Sequence, residues 1–242
     1  MSATDATPPY ALYGAEVTRA ALVAPHLKRL TVRAQAVPGL RADLPGQWLK
    51  VFVRNGEGRR LPGRAYTVRR LRDEDGSIDI DFVLHGDEGH VSAWADRAEA
   101  GDRFEVSAPH SRSGFAIDPS ISRYVLVGDE TGFPAIAAIL EALPAGVGAV
   151  VLSEVADKTC RQPVQSRAEV DIRWLHREAS DYYGLADALR GVDLTPGCAV
   201  FVAAESGEVA AIRSWLKEQD RTARLDVSGY WKRGETDHRD AG

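Results

Sequence analysis

The chain has little of what metal-relay, nucleic-acid and membrane proteins build on. Its 242 residues include two cysteines, Cys160 and Cys198, too few for a four-thiolate iron–sulfur cluster or a closed zinc site. Any redox chemistry must therefore come from a bound organic cofactor or from the substrate. Basic residues number 30 against 35 acidic ones, a net charge of −5. That balance argues against a general nucleic-acid binder, whose electrostatic footprint is an excess of positive charge. No apolar run approaches the length of a membrane span. The opening stretch MSATDATPPYALYGAEV lacks the positive and apolar regions of a secretory signal. Few thiols and no export signal lead us to expect a cytosolic protein, inserted in no membrane, with reduced cysteines.

What is present is ordinary for a soluble globular chain: 44% hydrophobic and 27% charged residues, too balanced for disorder. A chain of this length buries roughly three-quarters of its unfolded surface, so it needs no disulfide or metal staple. The first half reads as strands, over Leu27–Arg33, Leu49–Val53, Ala65–Leu71 and Arg103–Ser107, short β-rich segments between Gly, Pro and charge. The clearest lies at Ile78–Leu84, where Ile78, Ile80, Phe82 and Leu84 alternate with Asp79, Asp81 and Val83, the period of a half-buried strand. After it, Val91, Trp94, Ala95 and Ala98 fall at helical spacing within Gly89–Ala100. One helix inside a run of strands suggests a closed barrel with a helix plugging one end.

Past the Ser-, Gly- and Pro-rich stretch 107–122 the pattern changes, which divides the chain into a barrel domain over 10–112, a linker over 113–122 and a second domain over 123–242. There, strands at Tyr124–Val127, Ala149–Ser153, Val170–Leu175, Ala199–Ala203 and Leu225–Val227 are interleaved with helices at Phe133–Leu143, Leu185–Leu189 and Glu208–Glu218. Alternation of this kind implies a parallel sheet of βαβ units, which binds its ligands at the carboxyl ends of the strands.

Two segments carry chemistry in their own right. In Arg64-Ala65-Tyr66-Thr67, period two puts Arg64 and Tyr66 on one face. A cation beside a flat ring suits a flavin dinucleotide, with its charged pyrophosphate and stacking isoalloxazine; a snorkelling Arg and a half-buried Tyr on a surface strand have the same spelling. His85-Gly86-Asp87-Glu88-Gly89-His90-Val91-Ser92 enters the helix through glycines, offering backbone N–H groups and a positive dipole end to a phosphate. Ser92 taken by itself reads as a helix N-cap.

Taken in order, R-A-Y-T-V-R, D-F-V-L-H-G-D-x-G-x-x-S-x-W, G-D-E-T and D-V-S-G-Y-W-K-R-G-E resemble the siderophore-interacting proteins, flavin-dependent ferric-siderophore reductases of the ferredoxin–NADP reductase-like superfamily. The resemblance runs from about Gly14 to His238. It implies a two-domain fold, a Greek-key antiparallel β-barrel that binds FAD followed by an α/β Rossmann-like parallel sheet that binds NADPH or NADH, with the C-terminal tail returning to the flavin. Carried over position by position, it assigns Arg64, Tyr66, Thr67, Asp81, Val83, His85, Gly89, Val91 and Ser92 to the flavin. Gly128, Asp129 and Thr131 of G-D-E-T fall where flavin and nicotinamide meet, and Glu205 of Ala203-Ala204-Glu205 near the nicotinamide. Glu154, after the second strand, is placed to meet an adenosine ribose, and Arg161, Arg167 and Arg177 are the candidates for a 2′-phosphate.

Tyr230 and Trp231 resemble the family's aromatic cover over the flavin, and Lys50, Lys232 and Arg233 the basic residues that hold an anionic ferric chelate. The chain departs from the family at His90-Val91 (usually Pro-Ala), at Gly132-Phe133 (Ala-Leu) and at Ala204 (Gly), the last bringing a methyl group toward the nicotinamide ribose. The expected activity is NAD(P)H-dependent reduction of a ferric siderophore by a monomer, mediated by flavin with no catalytic side chain and no resident metal. A general flavin reductase or diaphorase feeding a protein partner, and a redox-silent siderophore-binding protein, are the alternatives.

Overall fold

The computed structural model describes residues 10–34, 37–41, 43–72, 74–85, 89–219 and 222–235. The chain divides between Gly114 and Phe115 into two compact units.

The first unit is a closed antiparallel barrel of β1 (Leu12–Ala24), β2 (Leu27–Ala34), β3 (Trp48–Phe52), β4 (Arg64–Leu71), β5 (Ser77–Val83) and β6 (Arg103–Ser107), in the order β1-β2-β5-β4-β3-β6. The antiparallel pairs β1–β2, β3–β4 and β4–β5 join consecutive strands, the longer-range pairs β2–β5 and β3–β6 complete the expected Greek-key path, and β1 closes the barrel on β6. Inward-facing Leu30, Val32, Leu49, Val51, Ile78, Ile80, Phe82, Phe104 and Val106 fill it. The helix α1 (His90–Arg97) adds Val91 and Ala95, both buried in the same cluster. It is shorter than the Gly89–Ala100 its spacing predicts, because Ala98 turns extended and Gly101 adopts φ +99°, a left-handed conformation that a glycine adopts at little cost.

Strand β1 has no counterpart in the sequence reading. Of its 13 residues only Ala15 and Val17 are buried, and two register shifts interrupt its pairing with β2. A bent strand rich in alanine shows no clean period of two. Strand β5 departs the other way. Its alternation predicts one wet face, yet Asp79 and Asp81 are buried, because Arg72 and Arg29 lie over them in ion pairs of 2.6 Å.

The second unit is a parallel sheet of β7 (Arg123–Gly128), β8 (Gly148–Val155), β9 (Glu169–His176), β10 (Cys198–Glu205) and β11 (Thr222–Trp231), in the order β11-β10-β7-β8-β9. Helix α2 (Phe133–Ala142) covers one face, with Ile136, Ile139 and Leu140 on Leu126, Val151 and Phe201. Helices α3 (Leu185–Arg190) and α4 (Ser206–Gln219) cover the other, with Leu185, Leu189, Ile212 and Leu216 on Val127, Leu152 and Val202. Strand order reverses between β7 and β10, which makes their carboxyl ends the switch point where such sheets take nucleotides. Phe115 and Ile121, ahead of β7, are buried in the α2-side core, with Ile117 packed against it. Among the described residues, no helix is long and apolar enough to cross a membrane.

Candidate functional site: a flavin corner and a nucleotide edge

In the barrel, the antiparallel register of β4 and β5 brings the Arg64 end of one strand to the Val83 end of the other. Here α1 begins. The Ser92 hydroxyl donates to the Val83 carbonyl at 2.9 Å, and His90 Nε2 donates to the Pro62 carbonyl at 2.6 Å. These two bonds tie the amino end of α1 to β5 and to the chain entering β4. Gly89, not Ser92, is the N-cap; it makes no side-chain cap bond, and no acidic residue lies in the first turn. The first turn of the helix therefore sets no carboxylate against the positive end of its dipole. A Cβ on Gly89 would come 2.8 Å from His85 Cε1, so the turn is passable only for glycine with the imidazole where it is. Gly86, Asp87 and Glu88 lie outside the described residues.

Tyr66 rests against Phe82, ring centroids 4.4 Å apart, and packs on the barrel core while part of the residue stays exposed. Burial pushes its hydroxyl well above the usual tyrosine range, against the pull of Arg64. Thr67 is buried, pairing with Trp48 of β3. These groups fit a flavin dinucleotide: a cation, a partly exposed ring and a helix start with free backbone N–H groups lie at one corner of the barrel. Asp81 is bound differently. Both of its oxygens accept from Arg29, at 2.6 and 2.7 Å, so its part in this corner is to pin β5 to β2. Lys50 of β3 pairs with Ala65, next to Arg64.

The nucleotide edge of the second unit is dense with hydrogen bonds. Asp129, 4% exposed, follows β7. Its Oδ1 accepts from the Thr131 amide (2.8 Å), the Thr131 hydroxyl (2.6 Å) and the Gly132 amide (3.3 Å). Its Oδ2 accepts from the Glu205 amide (3.0 Å) and from Trp231 Nε1 (2.7 Å). Gly128 and Gly132 serve the same close approach: added Cβ atoms would stand 2.7 and 2.0 Å from the Ala203 carbonyl oxygen. Glu205 caps α4, accepting from the Gly207 amide at 2.5 Å and the Glu208 amide at 3.2 Å, and its other oxygen accepts from the Arg233 amide at 3.2 Å. Burial alone would raise its pKa; these N–H groups hold it below the ordinary range. Ala204 is fully buried in the core on the α3–α4 side, where its methyl group packs among apolar neighbours. Tyr230 packs against the α2-side core, while Trp231 is 37% exposed. Lys232 forms an ion pair with Glu235.

At the end of β8, buried Glu154 accepts from Arg177 at 3.0 Å and from the Tyr182 hydroxyl. Arg177 also reaches Glu130 at 2.6 Å, whose other oxygen accepts from the Ala156 amide. Burial and nearby Asp129 push the Glu154 carboxyl up, against Tyr182 and Arg177. The role of Glu130 escaped sequence reading, since its Arg177 partner is 47 residues away.

A Greek-key barrel bearing a flavin corner, followed by a parallel sheet with its switch point at a G-D-E-T turn, defines a flavin-dependent oxidoreductase of ferredoxin–NADP reductase type. The chain matches the model of the siderophore-interacting FAD-binding domain over residues 55–113 and that of the siderophore-interacting protein over 121–234. It is 30% identical to a ferric vibriobactin reductase from Vibrio cholerae, over 92% of this chain and 90% of that one. A siderophore utilization protein from T. fusca superposes with a TM-score of 0.80 at 30% identity, covering 98% of both chains. The siderophore-interacting protein SipS from Aeromonas hydrophila gives 0.78 at 27% identity, covering 94% of both. The chain belongs to the siderophore-interacting protein family.

Proposed function

We propose that this protein is a cytosolic ferric-siderophore reductase that uses FAD to pass electrons from a nicotinamide nucleotide to chelated Fe³⁺, releasing Fe²⁺. The observation that carries the reading is the barrel corner where Arg64, Tyr66 and the uncapped start of α1 converge, in a chain 30% identical to a ferric vibriobactin reductase along nearly its whole length. Bound FAD would link a donor that delivers electrons in pairs to a metal that accepts them singly. Arg64 and the backbone N–H groups at the start of α1 would hold the pyrophosphate, and Tyr66 would hold the ring system. No acid, base or nucleophile is needed, so the side chains bind and orient. Weaker chelation of Fe²⁺ by hard oxygen donors then favours release.

For the donor, the side chains around the β8 end accommodate either NADH or NADPH, with Arg161 as the cation that would meet a 2′-phosphate. The 2′-phosphate of NADPH needs an unengaged cation near that end. Arg177 is engaged by Glu130 and Glu154, and Arg167 precedes β9, at the edge opposite the strands' carboxyl ends, whereas Arg161 gives only its Nε–H to His176 and keeps its charge and its terminal N–H groups. For the acceptor, Lys50, Lys232 and Arg233 are the cations that would meet an anionic chelate. The Lys232–Glu235 ion pair offsets part of that charge, which favours, as a second reading, a reductase of broad acceptor range.

One variant tests the flavin site and a second, doubly substituted one separates the two acceptor readings. Arg64→Ala should lower FAD retention on purification at least fivefold; normal FAD content would remove Arg64 from the flavin site. Lys50→Gln with Lys232→Gln should raise the KM for the anionic ferric complex of 2,3-dihydroxybenzoate severalfold and leave that for a neutral quinone unchanged. An equal response of the two acceptors would favour the broad-range reductase.

A further inference from the structure

Asp129, after β7, and Glu205, at the end of β10, are carboxylates of the nucleotide edge, and both are occupied by the chain itself. Asp129 accepts five hydrogen bonds while almost fully buried, and Glu205 accepts three from backbone amides. A carboxylate has about four lone-pair sites, so Asp129 is saturated without a ligand. The donors come from three places: the turn before α2, the junction of β10 with α4, and the C-terminal segment. Two of them, Trp231 Nε1 and the Arg233 amide, belong to residues flanking Lys232. A third tie, from the Ser206 hydroxyl to the Trp231 carbonyl at 2.9 Å, joins them. The local backbone is shaped for this. The β10–β11 register slips between Ala204 and Glu205, setting Glu205 opposite Trp231, and a Cβ on Gly229 would meet Ser206 Oγ at 2.3 Å.

We propose that Asp129 and Glu205 are positioning residues that clamp the Trp231–Arg233 segment to the switch point of the sheet, rather than ligands of the nicotinamide nucleotide. The clamp fixes the orientation of the Trp231 indole and the place of Lys232 and Arg233, so its loss reads out on the acceptor and not on the donor. This rests on the reading of Lys232 and Arg233 as acceptor-binding residues.

Asp129→Asn in the FAD-loaded full-length protein isolates the effect. The amide keeps one acceptor for Thr131 and Gly132 but turns an NH₂ toward two donors, the Glu205 amide and the Trp231 indole. Three readouts follow: tryptic release of the segment beyond Lys232 and Arg233, the equilibrium Kd for NADH, and the KM for ferric 2,3-dihydroxybenzoate against that for a neutral quinone. The clamp predicts release at least fivefold faster, a Kd for NADH within twofold of the parent, and a several-fold rise in KM for the ferric complex alone. Unchanged tryptic release overturns it, and so does a tenfold or greater loss of NADH affinity with both acceptor KM values unmoved. If Asp129→Asn does not fold, Trp231→Phe removes the indole donor alone. It must then loosen the segment by itself, and parental release from that variant overturns the clamp. Should neither NADH nor NADPH reduce the flavin, the donor part of the proposed function fails, while the tryptic test still judges the clamp.

Discussion

Asp79 illustrates how a single side chain can be legible in type and hidden in role. Its place in the alternation of β5 marks it as outward-facing, but not that Arg72 and Thr31 would close over it, with oxygen contacts of 2.6–2.9 Å. Burial alone would raise its pKa; the hydrogen bonds from Arg72 and Thr31 outweigh it and hold the carboxyl below the usual range. A carboxylate with a depressed folded-state pKa stabilises the fold above its unfolded value of about 3.9, and that contribution is lost as pH falls through the lower folded value. Arg72→Gln should therefore cost about 2–3 kcal/mol near neutral pH, less than the 3–5 of a fully buried pair because Arg72 keeps a third of its surface in water. Urea titrations of both proteins from pH 7 to pH 2.5 check this; the gap should narrow below about pH 4, and a gap independent of pH would contradict it. The same lesson applies to Asp81, Asp129 and Glu205. Their residue types point to ligand chemistry, whereas their partners, up to 102 residues away in sequence, are set by the fold.

Elements were easier to read than their contacts. The central strands β7, β8 and β10 announce themselves as continuous apolar runs because both faces are covered, and the edge strand β9, like β5, shows alternation instead. Strand β1 was silent because its bulges and small residues erase the period. The turn between β7 and α2 lacks a G-x-G-x-x-G signature, so its glycines carry no pattern; their reason is the Ala203 carbonyl of the neighbouring strand, a contact no local window contains. Gly132→Ala should destabilise the second unit by about 2–3 kcal/mol, since the added methyl meets backbone that cannot rotate away. A change below 0.5 kcal/mol in chemical denaturation would mean that β7 and β10 are free to separate there. Gly56→Ala is a matched control, with nothing within 4 Å of the new atom.

At the scale of the whole molecule, the scarcity of cysteine gains a mechanistic sense. With two buried, unpaired thiols, the proposed step from paired to single electrons falls to the flavin. The negative net charge makes attraction of an anionic chelate short-ranged, so it depends on a few cations fixed in place rather than on the field of the protein. The family and two-domain architecture were legible because four motifs keep their order along the chain. Donor choice was not, because it turns on which arginines near the end of β8 the fold ties to carboxylates, as it does Arg177, and which it leaves charged and open, as it does Arg161. Electron flow through the flavin is followed in its visible band by anaerobic mixing of the FAD-loaded protein with NADH and, separately, NADPH, and then with a ferric chelate. Bleaching by at least one of the two nucleotides, then recovery of the band with release of Fe²⁺ when the chelate is added, is the expected result. A reduced flavin that the ferric chelate leaves bleached would contradict it.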